Sequence, residues 1–255
     1  MIIFVGPGEP ISDGGVNSAA DRVGVNLPEL WSIISVETSG SGYLLDRRPK
    51  ILFERHIFSR LTGGAYDHDD PDVSQPSPGG YGPAGAHQYE RLAAATLLDE
   101  KAALSSASWG VGQIMGANFK AAGFDGVLDM VTAMVESEDN QLQAMAKFIA
   151  ASGMAEPLAA HDWASFARRY NGPNYASNNY DGLLQHFYDR YSSGPLPDLR
   201  VRAAQLYLTY KGFAPGPIDG IPGSRTTTVI KAFQSAAGMP QTGTVDDALL
   251  KALKP

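Results

Sequence analysis

From Asn26 to Val36 apolar residues recur too densely for a surface helix: Leu27, Leu30, Trp31, Ile33, Ile34 and Val36 leave almost no polar face. Asn26 with Glu29 three places on has the form of a capping box, and Pro28 suits a first helical turn, where a missing N–H costs little. The pattern predicts a buried helix ending at Glu37, because the run Thr38-Ser39-Gly40-Ser41-Gly42 cannot easily continue it. Helical spacing predicts further helices over 18–25, 49–61, 89–99, 128–151 (one long helix or a broken one), 163–170 behind an Asp162 cap, and 180–191. In the segment opened by Pro49, Glu54, Ile57, Phe58 and Leu61 fall at i, i+3, i+4 and i+7, which puts Glu54 on an apolar face. An acid there is either half of a buried ion pair with Arg47, Arg48 or Arg55, or a group held for chemistry. Residues 62–87, rich in Gly, Pro and Asp, predict a long loop able to form one wall of a cleft. The first domain therefore reads as mainly α.

Composition adds boundaries. With 44% hydrophobic residues in 255, the chain has enough apolar side chain for a real core, and its lack of cysteine excludes disulfides, thiolate metal sites and a cysteine nucleophile. The net charge of −7 argues against a nucleic-acid partner, yet it is unevenly spread: 13 basic and 23 acidic residues through Pro197, then 7 basic and 4 acidic beyond it. The change of sign falls at Ser192-Ser193-Gly194-Pro195-Leu196-Pro197, a linker composition. We expect two domains, 1–192 and 198–255, joined by 193–197. No apolar run is long enough to cross a membrane, and Met1-Ile2-Ile3-Phe4-Val5 lacks the basic region of a secretory signal, so neither membrane insertion nor a signal peptide is expected.

Candidate chemistry concentrates at two places. Glu37 closes an apolar helix beside carbonyls of partial negative charge; helix end and burial both disfavour its ionised form, as general-acid catalysis requires, although an exposed C-terminal acid would read the same. In Ser108-Trp109-Gly110-Val111-Gly112-Gln113-Ile114-Met115, two glycines let the backbone approach something closely, and Gln113 adds a donor and an acceptor of the kind sugars need; the alternative is a tight turn before an amphipathic helix, with Gln113 facing solvent. Metals and cofactors are not expected. Asp67-His68-Asp69-Asp70-Pro71-Asp72 lacks the glycine and glutamate of a calcium loop, and the histidines at 56, 68, 87, 161 and 186 show no metal-ligand pairing.

Three pieces in order, Val36-Glu37-Thr38-Ser39-Gly40, Ser108 to Met115, and Arg169-Tyr170-Asn171-Gly172-Pro173, resemble the lysozyme-like fold of goose-type lysozymes and soluble lytic transglycosylases. More closely, Arg48-Pro49-Lys50-Ile51-Leu52-Phe53-Glu54-Arg55-His56 and Ser108 to Gly116 resemble the N-acetylmuramidase domain of phage endolysins, over roughly 12–192. The resemblance implies cleavage of the β-1,4 bond between N-acetylmuramic acid and N-acetylglucosamine in bacterial peptidoglycan. It implies Glu37 as general acid, Glu54 as a second catalytic glutamate, and Gln113, Tyr170, Asn171 and Ser108 as substrate-binding residues. A lytic transglycosylase giving 1,6-anhydro products, or a wall-binding protein without catalysis, are the alternatives it leaves. It also implies a monomer held in the host cytoplasm until release to the wall, or exported by a non-classical route.

Residues 201–253 resemble the three-helix peptidoglycan-binding domain of wall hydrolases, through Pro217-Ile218-Asp219-Gly220, Thr226, Phe233-Gln234 and Gly243-Thr244-Val245-Asp246, with a departure at Ile221-Pro222-Gly223. Its basic excess is expected to help a −10 domain approach an anionic wall. Its short linker is expected to act as a tether, whose loss weakens wall binding and spares the chemistry on soluble fragments.

Overall fold

The computed structural model describes residues 4–38 and 40–255; the Met1–Ile3 part of the N-terminal lead and Ser39 of the glycine-rich run lie outside the described residues. The fold is mainly α, with thirteen α-helices and one three-stranded sheet among the described residues. Helices α1 (Asp13–Val23) and α2 (Leu27–Thr38) lead into β1 (Ile51–Phe53), α3 (Arg55–Leu61), α4 (Ala86–Leu98) and α5 (Glu100–Ser105). Strands β2 (Ala107–Trp109) and β3 (Ile114–Met115) then precede α6 (Val127–Glu136), α7 (Glu138–Ala151), α8 (Ala155–Ala159), α9 (Trp163–Tyr170) and α10 (Tyr180–Ser193). The last three helices are α11 (Leu199–Tyr210), α12 (Ser224–Ala236) and α13 (Asp247–Leu253).

Helix α2 is the buried centre of the larger core, with Leu30, Ile33 and Ile34 wholly inaccessible and its broadest packing against α10. Its capping box does not form: the Glu29 side chain is buried and meets Nε2 of His161 at 2.8 Å, so a tertiary partner takes the acid that a local cap would use. The segment 128–151 is two helices. Ser137 adopts an extended conformation between them, and its hydroxyl accepts from the Asn140 amide to start α7.

The helix expected over 49–61 is the main correction. Ile51–Phe53 is an antiparallel strand paired with β2, with Ile51 opposite Trp109 and Phe53 opposite Ala107. Ladder pairing to a distant partner outweighs the local 3.6-residue pattern, and helix begins only at Arg55. Glu54 is thus the N-cap residue of α3, not a position on its apolar face, and Leu61 is exposed.

A second, smaller core gathers Tyr207, Leu208, Ile230, Phe233, Leu249 and Leu253. Two buried glutamines hold its turns: Gln205 donates to Asp219 and Thr226 and accepts from the Gly220 amide, and Gln234 accepts from the Gly243 amide. The chain between the cores is short, yet the two parts are bonded directly. Arg202 of α11 donates to both oxygens of Glu138 on α7, at 2.5 and 2.9 Å, with both side chains almost completely inaccessible. Tyr210 donates to the Gly8 carbonyl at 2.9 Å, and Lys254 meets Glu9 at 2.9 Å. Arg202 belongs to the basic excess of the small domain, so part of that charge is neutralised inside the molecule rather than presented to a wall.

Removing one partner of a buried ion pair strands the other. Arg202→Met is expected to cost about 3–5 kcal/mol in urea unfolding. Adding Glu138→Gln, which removes the stranded charge and keeps an acceptor, is expected to recover part of that loss; further destabilisation by the second substitution would contradict the assignment.

Candidate active site

A cleft of about 550 Å³ opens at the C-terminal end of α2. Glu37 and Thr38 close one end, Ile51 and Leu52 of β1 form a side with Leu44 and Lys50, and Gln113 and the Ala84–Gly85 stretch complete it. The long loop therefore does form a wall. It is anchored from α4, where Gln88 donates to the carbonyls of Tyr81 and Pro83 and accepts from the Phe53 amide, and Arg91 donates to the carbonyls of Asp72 and Tyr81. The hydroxyls of Ser59, in α3, and Ser74, in the loop, bond Asp67, the first acid of the loop's cluster.

Glu37 is only partly exposed, and its carboxyl receives a hydrogen bond from the Tyr180 hydroxyl. Burial pushes its pKa up to about 7, against the Tyr180 bond, which favours the anion and pulls the other way. Near neutral pH this acid is substantially protonated. Burial, with the Glu37 carboxylate adding to it, raises the phenols of Tyr170 and Tyr180 well above their ordinary range, so both stay neutral donors.

Tyr180 carried no sequence signal beyond a place at the start of a helix. Its role comes from α10 packing along α2, which sets the N-terminus of one helix against the C-terminus of the other.

The glycine-flanked turn is explained by α7 rather than by a ligand. A Cβ on Gly110, which has φ +70°, would sit 2.6 Å from the Gln141 side chain, and one on Gly112 would sit 2.8 Å from Met145. Gln141, fully buried, accepts from the Val111 amide at 2.7 Å and donates to the Met134 carbonyl. A short strand, not an amphipathic helix, follows Gln113. Gln113 is neither solvent-facing nor free: it accepts from Ser108 at 2.9 Å and donates to the carbonyls of Gly110 and Lys50, at 2.8 and 3.3 Å. Its amide nitrogen is committed to backbone, and the second lone pair of its oxygen is what it can offer a sugar. Ser108 is buried on β2 and supports Gln113. Tyr170 donates to the Gly112 carbonyl at 2.6 Å, linking α9 to the same turn. Asn171 is exposed at the C-cap of α9 and is not part of the lining around Glu37.

Glu54 is not among the residues that line the cleft at Glu37. It follows β1 in extended conformation and by strand alternation shares a face with Leu52, which lines the cleft. None of the arginines expected to pair with it does so: Arg48 binds Asp46, Arg55 reaches the Pro71 carbonyl, and Arg47 sits in a turn. Its neighbour is His56, with Nδ1 3.2 Å from the carboxylate, and the Tyr81 hydroxyl lies beside it. Burial raises its pKa, partly offset by His56, Tyr81 and Arg91.

A partly buried acid at the end of an apolar helix, closing one end of a cleft walled by a short sheet and a long loop, is the arrangement of a lysozyme-type glycosidase. The family model of N-acetylmuramidase matches residues 26–192, and that of the peptidoglycan binding domain matches 198–253. The chain belongs to the N-acetylmuramidase family, as a lysozyme-type glycoside hydrolase that acts on peptidoglycan. It is similar to the crystal structure of the Burkholderia AP3 phage endolysin, with 40% identity, 72% of each chain covered and a TM-score of 0.66. No curated protein sequence matches it. Among the described residues no helix is long and apolar enough to cross a membrane.

The Tyr180 bond holds the Glu37 pKa down, so Tyr180→Phe is expected to raise the pKa of the Glu37 carboxyl, followed by its NMR titration. A pKa unmoved or lowered would contradict the contact.

Proposed function

We propose that the enzyme cleaves the β-1,4 bond between N-acetylmuramic acid and N-acetylglucosamine with Glu37 as general acid. The observation that carries this is the position of a carboxyl held near pKa 7 at one end of the cleft, with a neutral phenol donating to it. Such an acid can protonate the leaving oxygen, and after transfer the Tyr180 hydroxyl stabilises the carboxylate left behind. The sign of the pH dependence follows. Activity requires protonated Glu37 and declines as pH rises through about 7.

Glu54 supplies the second carboxylate, further along the β1 side, where it takes up the proton of an attacking water, with His56 and Tyr81 orienting it. Gln113 offers its remaining acceptor position to a sugar hydroxyl, with Ser108 fixing its orientation, while Tyr170 holds the Gly112 turn and Asn171 contacts glycan only beyond the lining at Glu37. The two-part chain, with 1–192 for catalysis, 193–197 between and 198–255 on the wall, acts as a monomer. By analogy with the phage endolysin it resembles, the protein accumulates in the host cytoplasm and reaches the wall on release.

Glu37→Gln is expected to lower turnover by about 10²–10⁴-fold on wall fragments. It should also stabilise the fold above pH 7. A group with a raised folded pKa loses its stabilising proton as pH rises from about 4.5 to about 7, and glutamine does not titrate; the gain at pH 8 is at most about 3 kcal/mol. Wall lysis at the wild-type rate by folded Glu37→Gln would defeat the assignment.

Mass spectrometry of the muropeptides checks the reaction. Hydrolysed products are expected, and products lighter by one water would show intramolecular closure instead. Glu54→Gln is expected to lower turnover by about tenfold or more while the urea midpoint stays put; loss of folding instead would assign Glu54 a structural task.

A further inference from the structure

The segment 40–50 joins the end of α2 to β1 and carries Leu44 and Lys50 into the cleft. Its fixation runs through a residue of the other domain. Glu138, in the first turn of α7, accepts from the Gly42 amide at 2.8 Å and from the Ile11 amide at 3.1 Å. Arg202 closes both oxygens of that carboxylate and also donates to the Gly40 carbonyl, three residues from Glu37. At Gly40, with φ +100°, a Cβ would lie 2.3 Å from the Ile218 carbonyl, so the small domain also rests directly on this backbone.

The network continues into the cleft wall. The Gly42 carbonyl accepts from the Lys50 amide at 2.7 Å, the Lys50 ammonium donates to the Thr38 carbonyl at 2.9 Å, and the Lys50 carbonyl accepts from the Gly110 amide at 2.9 Å. One guanidinium in the small domain is therefore connected, by buried or half-buried hydrogen bonds, to the residue after Glu37, to β1 and to the Gln113 turn. Lys50 feels this neighbourhood: burial lowers its pKa, Glu138 opposes that and Arg202 adds to it.

We propose that Arg202 is a positioning residue for glycan cleavage, which makes the small C-terminal domain a structural part of the active site rather than a tether alone. This rests on the reading of Glu37 as the general acid. Without the guanidinium fork, Glu138 keeps its charge without its partner, the Gly40 carbonyl loses its donor, and the segment between Glu37 and Lys50 is free to shift. Errors of about 1 Å in a catalytic constellation cost up to about a hundredfold in rate. Removing residues 195–255 is therefore expected to impair cleavage of soluble fragments, contrary to a simple tether.

The test compares full-length wild type, Arg202→Lys, the double variant Glu138→Gln/Arg202→Met, and Glu37→Gln. Turnover is measured on soluble uncrosslinked glycan strands, binding by sedimentation with purified sacculi, and exchange of the Gly42 amide by hydrogen–deuterium exchange. Arg202→Lys keeps a positive charge but cannot span the Gly40 carbonyl and both Glu138 oxygens, so it isolates the fork from the charge. In both Arg202 variants, kcat is expected to fall about tenfold with KM changed less than about threefold. Gly42 exchange should rise about tenfold or more in each, and sacculus binding should be unchanged.

A pair that serves only as a staple would lower the melting temperature and speed Gly42 exchange while leaving kcat intact; that result overturns the proposal, as does unchanged exchange with unchanged kcat. Should Arg202→Lys fail to fold, the charge-free double variant decides by the same criteria. Glu37→Gln at wild-type turnover would overturn the reading of the acid alone, since the kcat and exchange results for Arg202 are read independently of it.

Discussion

The carboxylate of Glu138 is the constraint on which the assembly depends. It is wholly inaccessible, and a buried charge is tolerated only when its lone pairs are filled. Its donors come from positions 127, 96 and 64 residues away in sequence: the Ile11 amide, the Gly42 amide and the Arg202 guanidinium. Satisfying one acid therefore fixes the N-terminal lead, the segment beyond α2 and the first helix of the small domain against α7. Its place in the first turn of α7 adds the favourable end of the helix dipole. One turn on, Gln141 accepts from the Val111 amide, so α7 braces both the segment before β1 and the Gln113 turn.

Glu37 shows the opposite use of burial. It sits at the wrong end of a helix for an anion and has the Tyr180 hydroxyl as its donor, where Glu138 has two amides and a guanidinium. Desolvation therefore wins, and the proton is retained to about pH 7. The two glutamates thus differ in their donors: Glu138 has two amides and a guanidinium, and Glu37 has the Tyr180 hydroxyl.

How much of this could be read in the sequence follows from the range of the interactions. The buried helix at 27–38 was legible because its pattern and its glycine stop are local, and so was the Asp162 cap of α9. The strand at 51–53 was not, because three residues carry no periodicity of their own and its partner lies more than fifty positions on. Pro49 and the 3.6-residue spacing around Glu54 were a coincidence of sequence that pairing overrode. Gln113 was legible as a polar group set beside a glycine turn, but not in the direction of its amide, which depends on the Lys50 and Gly110 carbonyls brought beside it. Tyr180 and the Glu138–Arg202 pair left no local trace, since each acts only through a neighbour supplied by the tertiary fold.

The charge count shows the same limit from another side. A basic excess in the small domain reads as attraction toward an anionic wall, and for exposed residues that holds, weakened by salt. Arg202 cannot take part, because its charge is paired with Glu138 and both side chains are closed to solvent. Nor is a linker composition evidence of free movement. Gly194 to Pro197 is loop, but Arg202, Tyr210 and Lys254 all reach back to the larger core within sixty residues of it. A freely jointed binding module raises the concentration of substrate near a cleft in every orientation. A module bonded to the backbone between α2 and β1, as Arg202 is through Glu138 and the Gly40 carbonyl, lacks that freedom, because its first helix is fixed against the segment that carries Leu44 and Lys50 into the cleft.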